Sequence, residues 1–191
     1  VIMVSEKIMF PITTSRLIIR PYPAGNITEQ VDAVVESVTT VGRWLPWCHS
    51  SYSVKDAAEW FVICEQSMAA NLSYDLGIFY KSSGELVGSI AINEIRANHK
   101  LGNIGYWIRQ SAQGKGIAAE AVEAIAEFGF NQLGLVRLEI IAGVDNKASR
   151  RVAEKVNATC EGLARNRIIL DKQPIDAIVY SLIPSDLQRS V

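Results

Sequence analysis

The spacing of apolar positions changes along the chain, and each change marks an element. Leu17 to Arg20 reads as a short strand. Asn26 or Thr28 suits the cap of a helix running through about Val38. Ser53 can cap a second helix from Val54 to Ala70, with Ala57, Trp60, Phe61 and Cys64 at helical spacing. Tyr74 to Tyr80 and Glu85 to Glu94 form a hairpin across Lys81-Ser82-Ser83-Gly84, and Asn98-His99-Lys100 turns into a strand from Asn103 to Arg109. Lys115 to Gln132 is a central helix: Ile117, Ala121, Ile125 and Phe128 face a core, Glu120, Glu123 and Glu127 face water, and Gly134 ends it. Val136 to Val144 is apolar except for Arg137 and Glu139, as expected of a strand covered on both faces. Asn146 caps a helix through Val156, and Thr159 to Leu170 and Pro174 to Ile183 supply two last strands. This order predicts an α/β (α+β) fold, a mixed sheet flanked by helices. There is no repeat, low-complexity tract or linker, so residues 1–191 read as one domain.

Composition narrows the function. At 191 residues and 49% hydrophobic, the chain can fill one core, and a net charge of −1 offers no general attraction to nucleic acid. No direct nucleic-acid partner is expected. No apolar run reaches the roughly 18 residues of a membrane span, so no membrane partner is expected either. The opening VIMVSEKIMFP lacks a charged segment followed by a long apolar one, which argues against a secretory signal. Cys48, Cys64 and Cys160 are scattered without metal-ligand spacing, and only His49 adjoins one of them. The expectation is a reduced, cytoplasmic protein without a metal. A Cys48–His49 dyad would need adjacent residues to aim at one point.

The chemistry concentrates in Asn103 to Ala119, NIGYWIRQSAQGKGIAA. An aromatic strand leads through a polar step to a loop with two glycines at a helix start. Such a loop offers unpaired backbone N–H groups to an anion, and Gly114 and Gly116 admit phosphate oxygens close to the backbone. A Walker A loop fails, because Lys115 precedes Gly116 and neither Ser nor Thr follows. Gly114, Gly116 and Ala119 satisfy a Rossmann fingerprint, but about five residues separate the strand from the first glycine. The acid expected roughly 20 residues on falls near Glu139, at the start of a strand and not at its end.

A third pattern, Gln-x-x-Gly-x-Ala, is satisfied by Gln113, Gly116 and Ala118, and it resembles the pyrophosphate-binding motif of the GNAT family of N-acetyltransferases. IGYWI before the loop, Arg16-Leu17-Ile18-Ile19-Arg20-Pro21, Trp44-Leu45-Pro46-Trp47 and Asp145-Asn146-x-x-Ser149 resemble the Rim-type branch, which acetylates N-terminal α-amines of ribosomal proteins. The resemblance runs in order from about residue 13 to 183. It implies a mixed, mostly antiparallel sheet of about seven strands with flanking helices, and acetyl-CoA as co-substrate.

The resemblance also implies a site. Gly114, Lys115, Gly116, Ile117 and Ala118 would hold the pyrophosphate, with Gln113 bracing the loop or touching the ligand. The strand before the loop would splay from its neighbour and offer backbone groups of Trp107, Ile108 and Arg109 to pantetheine. The Ile108 N–H would then polarise the thioester carbonyl. Asn146 would cap the next helix or contact pantetheine, and Ser149 would protonate the leaving thiolate. Glu94 would act as base through water, or be a solvated strand-end residue beside Arg96. Lys115, Lys147, Arg150 and Arg151 are candidates for the 3′-phosphate. Trp44, Trp47 and Tyr52, with His49 nearby, would line the acceptor groove.

Departures from the family pattern refine the chemistry. Ala153 stands where some members have a tyrosine acid, and Ala142 where some Rim-type members have a cysteine. Asn157-Ala158 replaces Gly-Phe, and Asn tolerates the left-handed turn. The acceptor would be a protein N-terminus or a small amine, attacked within a ternary complex. Two rivals stay open at this point: an acetyltransferase of small amines or antibiotics, and a non-catalytic acyl-CoA-binding module. The resemblance allows a monomer or a homodimer.

Overall fold

The computed structural model describes residues 9–187; the first eight residues of the sequence, including most of the VIMVSEKIMFP segment, lie outside that range. Its centre is a single eight-stranded sheet in the order β1-β2-β3-β4-β5-β6-β8-β7. The strands are β1 (Ile12–Thr13), β2 (Leu17–Arg20), β3 (Tyr74–Tyr80), β4 (Leu86–Arg96), β5 (Leu101–Ile108), β6 (Arg137–Gly143), β7 (Thr159–Leu170) and β8 (Gln173–Leu182). All neighbours are antiparallel except β5 and β6. The sheet therefore has one strand more than expected. The addition, β1, is two residues long and carries no periodic signal of its own.

Among the described residues five helices flank the sheet: α1 (Ile27–Glu36), α2 (Val54–Ala69), α3 (Ile117–Asn131), α4 (Lys147–Lys155) and α5 (Pro184–Leu187). Ser53 closes a full capping box with Asp56 at the start of α2, an arrangement worth about 1 kcal/mol. Asn26 occupies the cap position of α1 but makes no cap bond there; its side chain turns to Glu29. Gly134 and Asn157 take the left-handed conformation after α3 and α4, at φ 65° and 57°.

Two cores lie on opposite faces of the sheet. The larger joins Leu76, Ile78, Ile90 and Ile92 to Ile117, Val122 and Ile125 of α3 and Ala153 of α4. The smaller gathers Ala33 and Val34 of α1, Cys48, Phe79, Leu86 and Trp107. Strand β6 is less covered than expected. Leu138, Ile140 and Ala142 are buried, but Arg137 and Glu139 on the other face stay half-buried and pair with each other, and Arg137 also pairs with Glu161. Among the described residues no helix is long and apolar enough to cross a membrane.

Candidate active site

The parallel pairing of β5 and β6 is short. It covers Leu101↔Arg137, Gly102↔Leu138 and Asn103↔Glu139, and stops there. Beyond it β5 stays with β4 as far as Gly88↔Ile108, while β6 follows β8 as far as Gly143↔Ala177. The two central strands thus part into a fork. The edge of β5 that faces the fork follows from alternation. The Arg109 N–H donates to Val87 O of β4 at 2.8 Å, and Trp107 pairs with Ser89. Successive residues of an antiparallel strand direct their backbone groups to opposite edges. Ile108 and Tyr106 consequently turn their N–H groups into the fork, whereas Trp107 and Arg109 spend theirs on β4.

At the top of the fork the chain makes a 3-10 turn (Gln110–Ala112) and a loop before α3. Gly114 and Gly116 sit at φ 73° and 78°, a region costly for side-chain-bearing residues. Among the described residues, none of the N–H groups from Gly114 to Ala119 donates to a protein acceptor. Six donors at a helix N-terminus are therefore open to an anion. Two cations lie beside Gly116: a methyl group placed on it would lie 3.2 Å from Lys155 Nζ and 3.5 Å from Arg16 Nη2. Of the other candidate cations, Arg150 is directed elsewhere, to Val144 O at 3.0 Å and Tyr180 Oη at 3.3 Å.

The loop is held from three sides. Gln113 Nε2 donates to Ile108 O at 2.8 Å and to Thr40 Oγ1 at 3.0 Å, so Gln113 braces the loop. Arg16 donates from Nη1 to Lys115 O at 2.9 Å and from Nε to Glu120 at 2.6 Å. Glu120, expected to face water, also accepts from Thr14 Oγ1, Ser15 Oγ and the Arg16 N–H. Burial alone would raise the Glu120 carboxyl pKa, but these donors outweigh it and hold the pKa below the usual value. The Arg109 side chain points away from the fork, to Glu36 at 2.5 Å and Glu85 at 3.1 Å. Glu36 in turn accepts from the Ser111 N–H at 2.8 Å, which ties the 3-10 turn to α1.

Across the fork, Asn146 Oδ1 accepts from the Ser149 N–H at 3.1 Å and caps α4. Its Nδ2 makes no hydrogen bond among the described residues and remains open to a ligand. The Ser149 hydroxyl is engaged: Tyr106 Oη lies 3.0 Å from Ser149 Oγ and 3.1 Å from Ser149 O. Tyr106 looks like a packing residue in sequence. The alternation that turns it, with Ile104 and Ile108, toward α3 and α4 is the signal that could have found it.

On the opposite face of the sheet, Trp47 meets Trp107 edge-on at 5.8 Å and Tyr52 at 6.2 Å. Trp44 packs over Gly143 at the end of β6, beside Ile175 of β8. Trp47 is 40% exposed and Tyr52 half-buried, so these aromatics form a partly open wall. Glu94 lies at a bulge in β4, where pairing with β5 shifts between Asn93 and Arg96, and its φ is 49°. Its carboxylate faces Arg167 of β7 at 3.7 Å and is 56% exposed. Among the described residues no group of three or more His, Cys, Asp or Glu could hold a metal ion.

A forked mixed sheet with a donor-rich loop at the mouth of the fork defines an acyl-transfer scaffold. Residues 16–159 match the Acetyltransferase (GNAT) domain family, and the chain belongs to that family. It is an N-acetyltransferase, and its relatives support the Rim-type branch. It is 28% identical over 153 residues to "Putative ribosomal N-acetyltransferase YdaF" of Bacillus subtilis, covering 80% of this chain and 82% of that one. A solved structure of a "putative ribosomal-protein-serine acetyltransferase" from Vibrio cholerae superposes with a TM-score of 0.81 at 32% identity, over 93% of this chain and 99% of the other. The fold is also that of RimL, a "Ribosomal L7/L12 alpha-N-protein acetyltransferase" solved in complex with coenzyme A, at TM-score 0.83, 23% identity and coverage of 91% and 98%.

Proposed function

We propose that this N-acetyltransferase moves an acetyl group from acetyl-CoA to the α-amine of a protein N-terminus of the ribosomal-protein type, by direct attack in a ternary complex. One observation carries the donor half: the open edge of β5 runs directly into the six unpaired N–H groups from Gly114 to Ala119. The pyrophosphate would lie on that loop beside Lys155 and Arg16. Pantetheine would follow the β5 edge, and the Ile108 N–H would donate to the thioester carbonyl as negative charge develops on its oxygen. The amine nitrogen forms the new bond to the carbonyl carbon, and the C–S bond breaks with its electron pair on sulfur. The nitrogen loses a proton to water, and Glu94, six residues along β4 from the Gly88 that pairs with Ile108, would receive it only through a chain of waters. The sulfur is met by the Ser149 hydroxyl, and modest assistance suffices because a thiol titrates near 8.5.

Amine chemistry supports the choice of acceptor. An α-amine of pKa about 7.7–8.0 is substantially neutral near pH 7.4, whereas lysine at about 10.4 is only about 0.1% neutral. Glu94, the carboxylate the resemblance offers as base, is exposed, shared with Arg167 and six residues along β4 from the Gly88 that pairs with Ile108, which suits an acceptor that needs little deprotonation. The names of the relatives, one of which acts on an α-amine of L7/L12, point the same way.

The test is thiol release from acetyl-CoA with peptides bearing free N-termini, the same peptides N-blocked but containing lysine, and small amines. Turnover confined to free N-termini is expected. Turnover on lysine or small amines alone would sink the proposed acceptor while leaving the acetyltransferase intact.

A further inference from the structure

Ser149 and Tyr106 belong to the two walls of the fork. Tyr106 stands in β5 two residues before Ile108, and Ser149 stands in the first turn of α4, which follows β6. Their hydroxyls meet at 3.0 Å, with Ser149 O a further 3.1 Å from the same phenol oxygen. A serine in the first turn of a helix otherwise turns its hydroxyl toward nearby backbone groups. Here the Ser149 N–H is already taken by Asn146 Oδ1 at 3.1 Å, and the hydroxyl is directed at the phenol.

We infer that Tyr106 is a positioning residue for the transfer step: its phenol donates to Ser149 Oγ and so leaves the serine's own hydrogen for the departing sulfur. The proton count requires this arrangement. The phenol has one hydrogen and two acceptors in reach, Ser149 Oγ and Ser149 O. When it donates to the carbonyl, the serine hydrogen points back at the phenol and is unavailable to sulfur. When it donates to Oγ, the serine hydrogen turns away from the phenol. No proton leaves Tyr106 in the step. Burial first of all, only partly offset by the Ser149 hydrogen bond, pushes its pKa up to about 12. At neutral pH roughly one phenol in 10⁵ is ionised, so it serves as a constant donor. Giving its proton to a thiolate of pKa about 8.5 would run uphill by more than three units, which favours orientation over relay.

This inference rests on the reading of Ser149 as the group that meets the sulfur, and the experiment separates the two. Tyr106→Phe, Ser149→Ala and the double variant are compared by steady-state thiol release with acetyl-CoA and a reactive N-terminal peptide. Thermal midpoints and coenzyme A affinity are measured alongside. Phe keeps the packing of the ring, so Tyr106→Phe is expected to melt within a few degrees of the parent. Its kcat should fall about tenfold, with KM for acetyl-CoA changed less than about twofold. In the Ser149→Ala background the added effect of Tyr106→Phe should vanish, as for two residues acting through one atom. An unchanged kcat in Tyr106→Phe, or a loss that persists undiminished without Ser149, overturns the positioning role and leaves Ser149 standing. A parent-like kcat in Ser149→Ala removes the serine itself, and the role of Tyr106 falls with it.

Discussion

Gln113 Nε2 donates to the carbonyl of Ile108, five residues earlier, at 2.8 Å. That bond fixes the end of the β5 edge relative to the loop that follows, so edge and loop hold one geometry. Thr40 Oγ1 accepts from the same nitrogen and links both to the segment after α1. Gln113→Ala removes a partly buried hydrogen bond worth about 1 kcal/mol. KM for acetyl-CoA is expected to rise about fivefold with KM for the acceptor unchanged, read from initial rates.

Gly116 at φ 78° lies within reach of Lys155 Nζ and Arg16 Nη2. Gly116→Ala costs roughly 1–2 kcal/mol in backbone strain and crowds both cations. A fall of about 2–8 °C in thermal midpoint is expected, with coenzyme A affinity lowered as well by the methyl group added to the loop. Calorimetric titration at fixed ionic strength measures the second effect. Equal affinity in parent and variant would remove the loop from phosphate binding.

Glu120 ties Thr14, Ser15 and Arg16 to the start of α3, and its folded pKa is lowered by those donors against the opposing effect of burial. A carboxylate with a lowered folded pKa adds stability above its unfolded value, near 4.3, and loses it as pH falls through the folded value. Glu120→Ala should therefore melt below the parent at pH 7. The gap between the two should narrow as pH falls below about 4.3. A gap independent of pH would mean that ionisation of Glu120 contributes nothing.

Trp47 reaches Trp107 from the face opposite Ser149. Trp47→Ala is expected to raise KM for peptide acceptors several-fold while KM for acetyl-CoA stays within about twofold, since loss of an aromatic contact costs about 0.5–1.5 kcal/mol beyond area. A reversed pattern would move the acceptor off this face.

Glu94 and Arg167 face each other at 3.7 Å across β4 and β7. Glu94→Gln should lower kcat/KM by about tenfold at pH 6.5, less than the roughly 10²–10⁴-fold of a base in direct contact. The loss should shrink above the acceptor amine's own pKa of about 7.7–8.0, where deprotonation is no longer needed. A loss of equal size across the whole profile would assign Glu94 a structural part only.

Local chemistry in the sequence determined much of this protein. The period of apolar residues located seven of the eight strands and the four longer helices, because each buries a face whose repeat is visible in isolation. Ser53, Gly134, Asn146 and Asn157 were legible as helix ends because caps and left-handed turns are decided by residues a few positions apart. The glycine loop was legible for the same reason. Tertiary structure alone decided where β5 and β6 part, since pairing between distant strands leaves no local trace. It also decided that Glu120 turns from water to the Thr14–Arg16 segment, and that Lys155, not Arg150, lies beside Gly116. Arg109 illustrates the limit: adjacent in sequence to the Ile108 edge, it is drawn away by Glu36 and Glu85 from elements 73 and 24 residues distant. Tyr106 and Ser149, 43 positions apart, meet only because the sheet forks between them.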